Sequence, residues 1–145
     1  MSSNRETVRE VLAELLQTAL VGSGRPAQAV YSYQVGDLGG QSPVVVVSSA
    51  GSERQRLSFQ GSRATFRLNV YVFVLYTDGS DWNEDDAEER LDLIEKTIAE
   101  TVDVSQRTAF WESVGYAGET VCDSVEIGGE EYRRETIPIW VEVYA

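Results

Sequence analysis

Any chemistry in this sequence would have to run without histidine, because its 145 residues contain none. That removes the side chain used most often as general base, proton shuttle and metal ligand near neutral pH. The single cysteine, Cys122, has no imidazole to activate it and falls in a stretch of strand character. It therefore reads as a small buried apolar side chain rather than a nucleophile. The run Asp81-x-Asn83-x-Asp85 imitates the start of a calcium loop. Its sixth position, however, holds Asp86 where glycine makes the sharp turn, and its twelfth holds Asp92 rather than a bidentate glutamate. A capped, acid-rich helix start accounts for all of these residues. GSGRPAQ at 22–28 places its glycines after a helix, whereas a phosphate loop places them before one and closes on Gly-Lys-Ser/Thr. No GxSxG elbow is present, and although 24 acids would permit a glycosidase pair, nothing selects one. The expectation is a protein that is not an enzyme and uses no cofactor or metal.

Twelve basic against 24 acidic residues give a net charge of −12, and the excess is local. From Asp78 to Asp103, eleven acids face only Arg90 and Lys96, so this segment alone carries −9. Within it Glu84, Asp85, Asp86, Glu88 and Glu89 form a candidate acidic surface. Charge of this size keeps a protein soluble and repels nucleic-acid phosphate. Sequence-specific DNA binding, which neutralises phosphate with Lys and Arg, is not expected. No run of 18 apolar residues occurs, so no membrane span is expected. MSSNRETVRE lacks the apolar stretch of a signal peptide, and one lone cysteine fits synthesis in a reducing cytoplasm. With 42% apolar residues, the chain is long enough for one domain over 1–145 with its own core.

The elements that must position these residues follow from periodicity. Ser3, with Glu6 as its capping-box partner, opens a first helix. Val8, Val11, Leu12, Leu15, Leu16 and Ala19 recur along it at helical spacing, and it ends near Gly22 and Gly24. Two extended stretches follow, Val30–Val35 and Pro43–Ser49, then a polar connection over 50–62, with Arg54, Arg56 and Arg63 forming a basic tip. The next strand covers about 63–76 and has two apolar rows. Leu68, Val70, Val72 and Val74 belong to a core, while Tyr71, Phe73 and Leu75 need a second cover. Asp81 or Asn83 caps a second helix over about 84–102, with Ala87, Leu91, Ile94, Ile98 and Val102 as its apolar stripe. After an irregular segment at 103–120, a terminal hairpin turns at Gly128-Gly129. In its last strand Pro138 predicts an edge position or a bulge. The sum predicts an α+β fold, a mostly antiparallel sheet with long hairpins and two main helices packed on one face.

The order of an amphipathic first helix, RLNVYVFVLY in a long hairpin, the acidic helix NEDDAEERLDLIEKTIAE and a terminal YRRETIPIWVEVY resembles the tail terminator, or tail completion, proteins of long-tailed bacteriophages. The resemblance spans nearly the whole chain and rests on element order, length and texture, with no diagnostic short motif. It implies a structural virion protein, made in the host bacterial cytoplasm, that caps the tail tube as a hexameric ring. Its partners would be further copies of itself, the tail tube protein, a head-closure or connector protein, and genomic DNA sliding through the channel without specific binding. Head–tail connector proteins of the neck share much of the pattern. An acidic DNA-mimicking inhibitor is the alternative from another class. The residues themselves name Tyr71, Phe73, Leu75, Trp140 and Tyr144, with Arg54 and Arg56, as the candidate subunit interface, because aromatic patches poor in charge are typical of interfaces.

Overall fold

The computed structural model describes residues 4–57, 61–75 and 84–144, the side chains of 84 and 85 excepted. The elements run α1 (Arg5–Leu20), β1 (Ala29–Tyr31), β2 (Val44–Arg56), β3 (Ser62–Leu75), α2 (Glu84–Val104), β4 (Ser113–Tyr116), β5 (Val121–Ile127) and β6 (Glu130–Tyr144). They make an α+β fold in which both helices pack on one face of a six-stranded sheet. The strand order is β1-β2-β3-β6-β4, with β5 on the same flank of β6 as β4. β1 joins β2 in parallel and the other ladders are antiparallel.

α1 is capped by Asn4, whose side chain accepts the Thr7 N–H at 2.8 Å, in place of the expected Ser3, which lies outside the described residues. An Asn carbonyl satisfies an otherwise orphaned amide of the first turn. At the other end the Arg25 guanidinium donates to the Ala19 carbonyl at 2.8 Å, a cation at the negative end of the helix. The stripe of α2 is the expected one: Ala87, Leu91, Ile94, Ile98 and Val102 are all buried. They meet Val8, Leu12 and Leu16 of α1 and the row Phe66, Leu68, Val70, Val72 and Val74 of β3 in the main core. Ile137, Ile139, Val141 and Val143 extend that row across β6.

Other expectations change. The stretch Val30–Val35 is strand only at its start, because β1 ends at Tyr31 and the chain leaves the sheet there. The connection over 50–62 is mostly strand, because β2 continues to Arg56 and pairs with β3 down to Ser62. A bulge at Ala50 makes this possible: Ser49 pairs with Leu68 and Gly51 with Arg67, so one residue is unpaired and the alternation of faces is reset. Pro138 is not on an edge. It lies in central β6 opposite Asn69, at the seam where the flanking partner changes from β5 at Thr136 to β4 at Ile139. Its carbonyl accepts the Ala117 N–H at 3.0 Å, so its missing N–H falls where the chain crosses between those strands and no ladder bond is lost. Finally, the 103–120 segment is not all irregular: α2 runs on to Val104 and Ser113–Tyr116 form β4 beside β6, while the rest closes the helix side of the core. Trp111 is buried there, and its indole N–H donates to the Ser105 carbonyl at 2.9 Å.

Candidate interaction surface

The face of the sheet opposite the helices, here the outer face, carries Tyr71, Phe73 and Leu75 of β3 in register with Thr136, Arg134 and Tyr132 of β6. It divides into a covered half and an open half. Over the covered half lies the chain between β1 and β2, residues 32–43. Leu38 from this strap, with Val44, Val46, Phe73 and Tyr132, forms a second buried cluster edged by Val35, Val125 and Ile127. The Tyr31 hydroxyl donates to Gln41 Oε1 at 2.6 Å, and the Leu75 N–H donates to Ser42 Oγ at 2.8 Å. Asp37 lies against the β5–β6 turn so closely that a Cβ on Gly128 would stand 2.5 Å from its Oδ1.

The candidate interface residues therefore separate. Phe73 is only 4% exposed, packed edge-on to Tyr132, and has no surface to offer a neighbour. Tyr71 and Leu75 are half-buried at the margin of the same cluster. Among the described residues, this row is covered by the strap together with β5. Sequence reasoning missed the strap because its cover rests on Leu38 and Val35, two apolar residues with no periodicity among turn-forming neighbours.

Trp140 and Tyr144 lie on the open half. Trp140 spreads over β4, where only glycine fits: a Cβ on Gly115 would stand 2.7 Å from the indole. Arg67, Asn69, Pro138 and Trp140 line a groove of about 460 Å³. Beyond it runs a ladder of charges. Arg67 is 3.6 Å from Glu53, Arg63 reaches Gln55 at 2.6 Å and Glu142 at 3.9 Å, and the Tyr144 hydroxyl donates to Glu142 at 2.7 Å. Arg63, Arg67 and Glu142 follow the plain alternation of β3 and β6, whereas the outward position of Glu53 is set by the bulge in β2 and was not legible in the sequence. Arg54 takes the other face and sits 5.4 Å from the centre of the Phe66 ring, while Arg56 is exposed near the hairpin end.

On the helix side the described acids form a second charged region. Glu88 pairs with Arg133 at 2.7 Å, Glu89 is exposed and Asp86 is half-buried; the side chains of Glu84 and Asp85, like Asp81 and Asn83, lie outside the described residues. Glu135, 5% exposed, points from β6 toward α2. Burial raises its carboxyl above the usual range, as do Glu95, Asp92 and Glu88, and a hydrogen bond with Thr120 opposes them. Cys122 is opposite Glu135 in the ladder and is exposed, contrary to the buried position expected. Shielding of the thiol and the Glu135 charge raise its pKa, the reverse of what a nucleophile needs. Among the described residues no three acidic, cysteine or histidine side chains converge to hold a metal. On β5, Asp123 receives two hydrogen bonds from Arg134, at 2.9 and 2.6 Å, and these hold its carboxyl below the ordinary value.

The class this architecture defines is an α+β domain with a half-open sheet face. Compared with protein-family models and with curated proteins, the chain matches none.

Proposed function

We propose that this chain is a ring-forming structural protein of a long-tailed phage, the tail terminator that caps the tail tube and joins it to the head. The observation that carries this is the open half of the outer face: an extended β2–β3 hairpin, a groove beside Trp140 and a ladder of opposite charges, left uncovered by the chain that covers the other half. Repeated copies related by rotation close such a surface into a ring through one heterologous contact. The order of elements and the excess of acid support the same assignment, since an acidic lumen lets DNA slide. A connector of the neck would use the same surface, and binding to tail tube protein rather than to a portal ring separates the two roles.

The test is particle size. Sedimentation and negative-stain imaging of the purified chain, alone and with tail tube protein, should give closed rings of about six copies. A chain that stays monomeric alone and on tubes, and that binds a nuclease or repressor with steep salt sensitivity, would be an acidic DNA mimic instead.

A further inference from the structure

The two charged regions stand at opposite ends of the molecule. β3 runs 14 residues from the hairpin end at Ser62 to Leu75, roughly 46 Å at a strand's rise. At its first end, residues 50–68 hold four arginines against one acid, Glu53. Two more arginines join them from α1: Arg5 donates to Ser52 Oγ at 3.0 Å and Arg9 to Ser49 Oγ at 2.9 Å. Six of the chain's 12 basic residues thus gather at this end against the four acids Glu6, Glu10, Glu53 and Glu142, a local excess of positive charge in a protein whose net charge is −12. At the other end lie the first turns of α2 and the β5–β6 turn, with Glu88, Glu89 and Asp92 on the helix and Glu126, Glu130 and Glu131 about the turn. Glu88 is placed there by its bond to Arg133, near the start of β6.

We propose that the arginine-rich end of the β2–β3 hairpin, with Arg54 and Arg56 on its helix side and Arg63 and Arg67 on the open half of the outer face, is a docking surface for a second copy of this chain, which presents its acidic end. This rests on the reading of the chain as a self-assembling protein and names the surfaces that meet. The occupant follows from charge. A uniformly acidic chain would repel its copies, whereas segregated charge attracts the basic end of one copy to the acidic end of the next. The ion pairs already on the open half do not compete strongly. Arg67 and Glu53 are 60% and 68% exposed, so their pairing is weak and open to exchange. A head-to-tail contact of this kind uses different patches on the two copies, as a ring requires.

A charge swap tests it. Arg56→Glu/Arg67→Glu reverses the basic end, and Glu89→Lys/Glu126→Lys reverses the acidic end; all four side chains are exposed, and circular dichroism checks that each variant folds. Sedimentation velocity at 50 and 500 mM salt should show wild-type association that weakens with salt, as screening demands. Each variant alone should associate roughly tenfold or more weakly. Mixing the two should restore assembly, because each then offers the charge that the other needs. Wild-type assemblies that neither reversal disturbs, no rescue on mixing, or a wild type that is monomeric at every concentration would overturn this contact. If reversal abolishes assembly but the particles are open filaments, the contact stands and the closed ring fails.

Discussion

Single residues in this fold are fixed by contacts that a substitution test can separate. Gly128 and Gly129 both have positive φ, +60° and +82°, as a two-residue primed turn requires. Alanine at Gly129 meets open space and should cost only the left-handed strain, about 1 kcal/mol. Alanine at Gly128 also strikes Asp37, so its cost should be larger by about 1 kcal/mol or more, and Asp37→Ala should return that excess in a double-mutant cycle by chemical denaturation. Two carboxylates should respond to pH in opposite senses. Glu135 has a raised folded pKa, so its favourable contribution is present below the ordinary carboxylate value and is lost as pH rises through the raised one. Glu135→Gln keeps the shape and should raise Tm at pH 7 by about 2–4 °C, with the gain fading in acid. Asp123 has a lowered pKa, and the stability that it adds above the ordinary carboxylate range is lost as pH falls through the lowered value. Asp123→Asn should therefore cost up to about 1 kcal/mol at pH 7 and nothing at low pH, measured by thermal melts across pH.

Elements differ in how far their own sequence defines them. The stripe of α2 was legible because five apolar residues repeat at helical spacing and all five are buried. The inner row of β3 was legible for the equivalent reason at a period of two. Its outer row was not, because the cover comes from a strap whose hold is a set of long-range bonds, such as Leu75 to Ser42, that leave no local pattern. Pro138 misled because the rule that keeps proline on edges assumes one continuous partner on each flank, and β6 changes partner at that residue. Of the open surface, Trp140, Glu142 and Tyr144 were legible as one face of β6 and Arg67 as a member of the outer row of β3, whereas the faces of Glu53 and Arg54 depend on the bulge. The division of the outer face gives a direct contrast. Phe73→Ala empties the covered half and should cost about 3–5 kcal/mol in denaturant unfolding. Trp140→Ala, on the open half, should cost less than half as much and should act on assembly measured by sedimentation.

At the scale of the whole molecule, the sheet is both the floor of a core and, at the far end of the β2–β3 hairpin, the candidate docking edge, and the two roles meet at Ala50. Below that residue the odd-numbered members of β2 face the helices; above it the even-numbered ones do. Ala50 itself pairs with nothing, so its removal would let Gly51 follow Ser49 with every cross-strand partner retained. What would change is the local bend and twist that a bulge imposes. Deleting Ala50 should leave the stability within about 1 kcal/mol of wild type while changing the angle of residues 51–56 of β2 against β3. In a closed assembly that angle sets the rotation from one copy to the next. The deletion should then alter the diameter or copy number of the particles seen by negative stain, rather than abolish them. One unpaired alanine would in that way act as the gauge of the opening, independent of the strands that hold it.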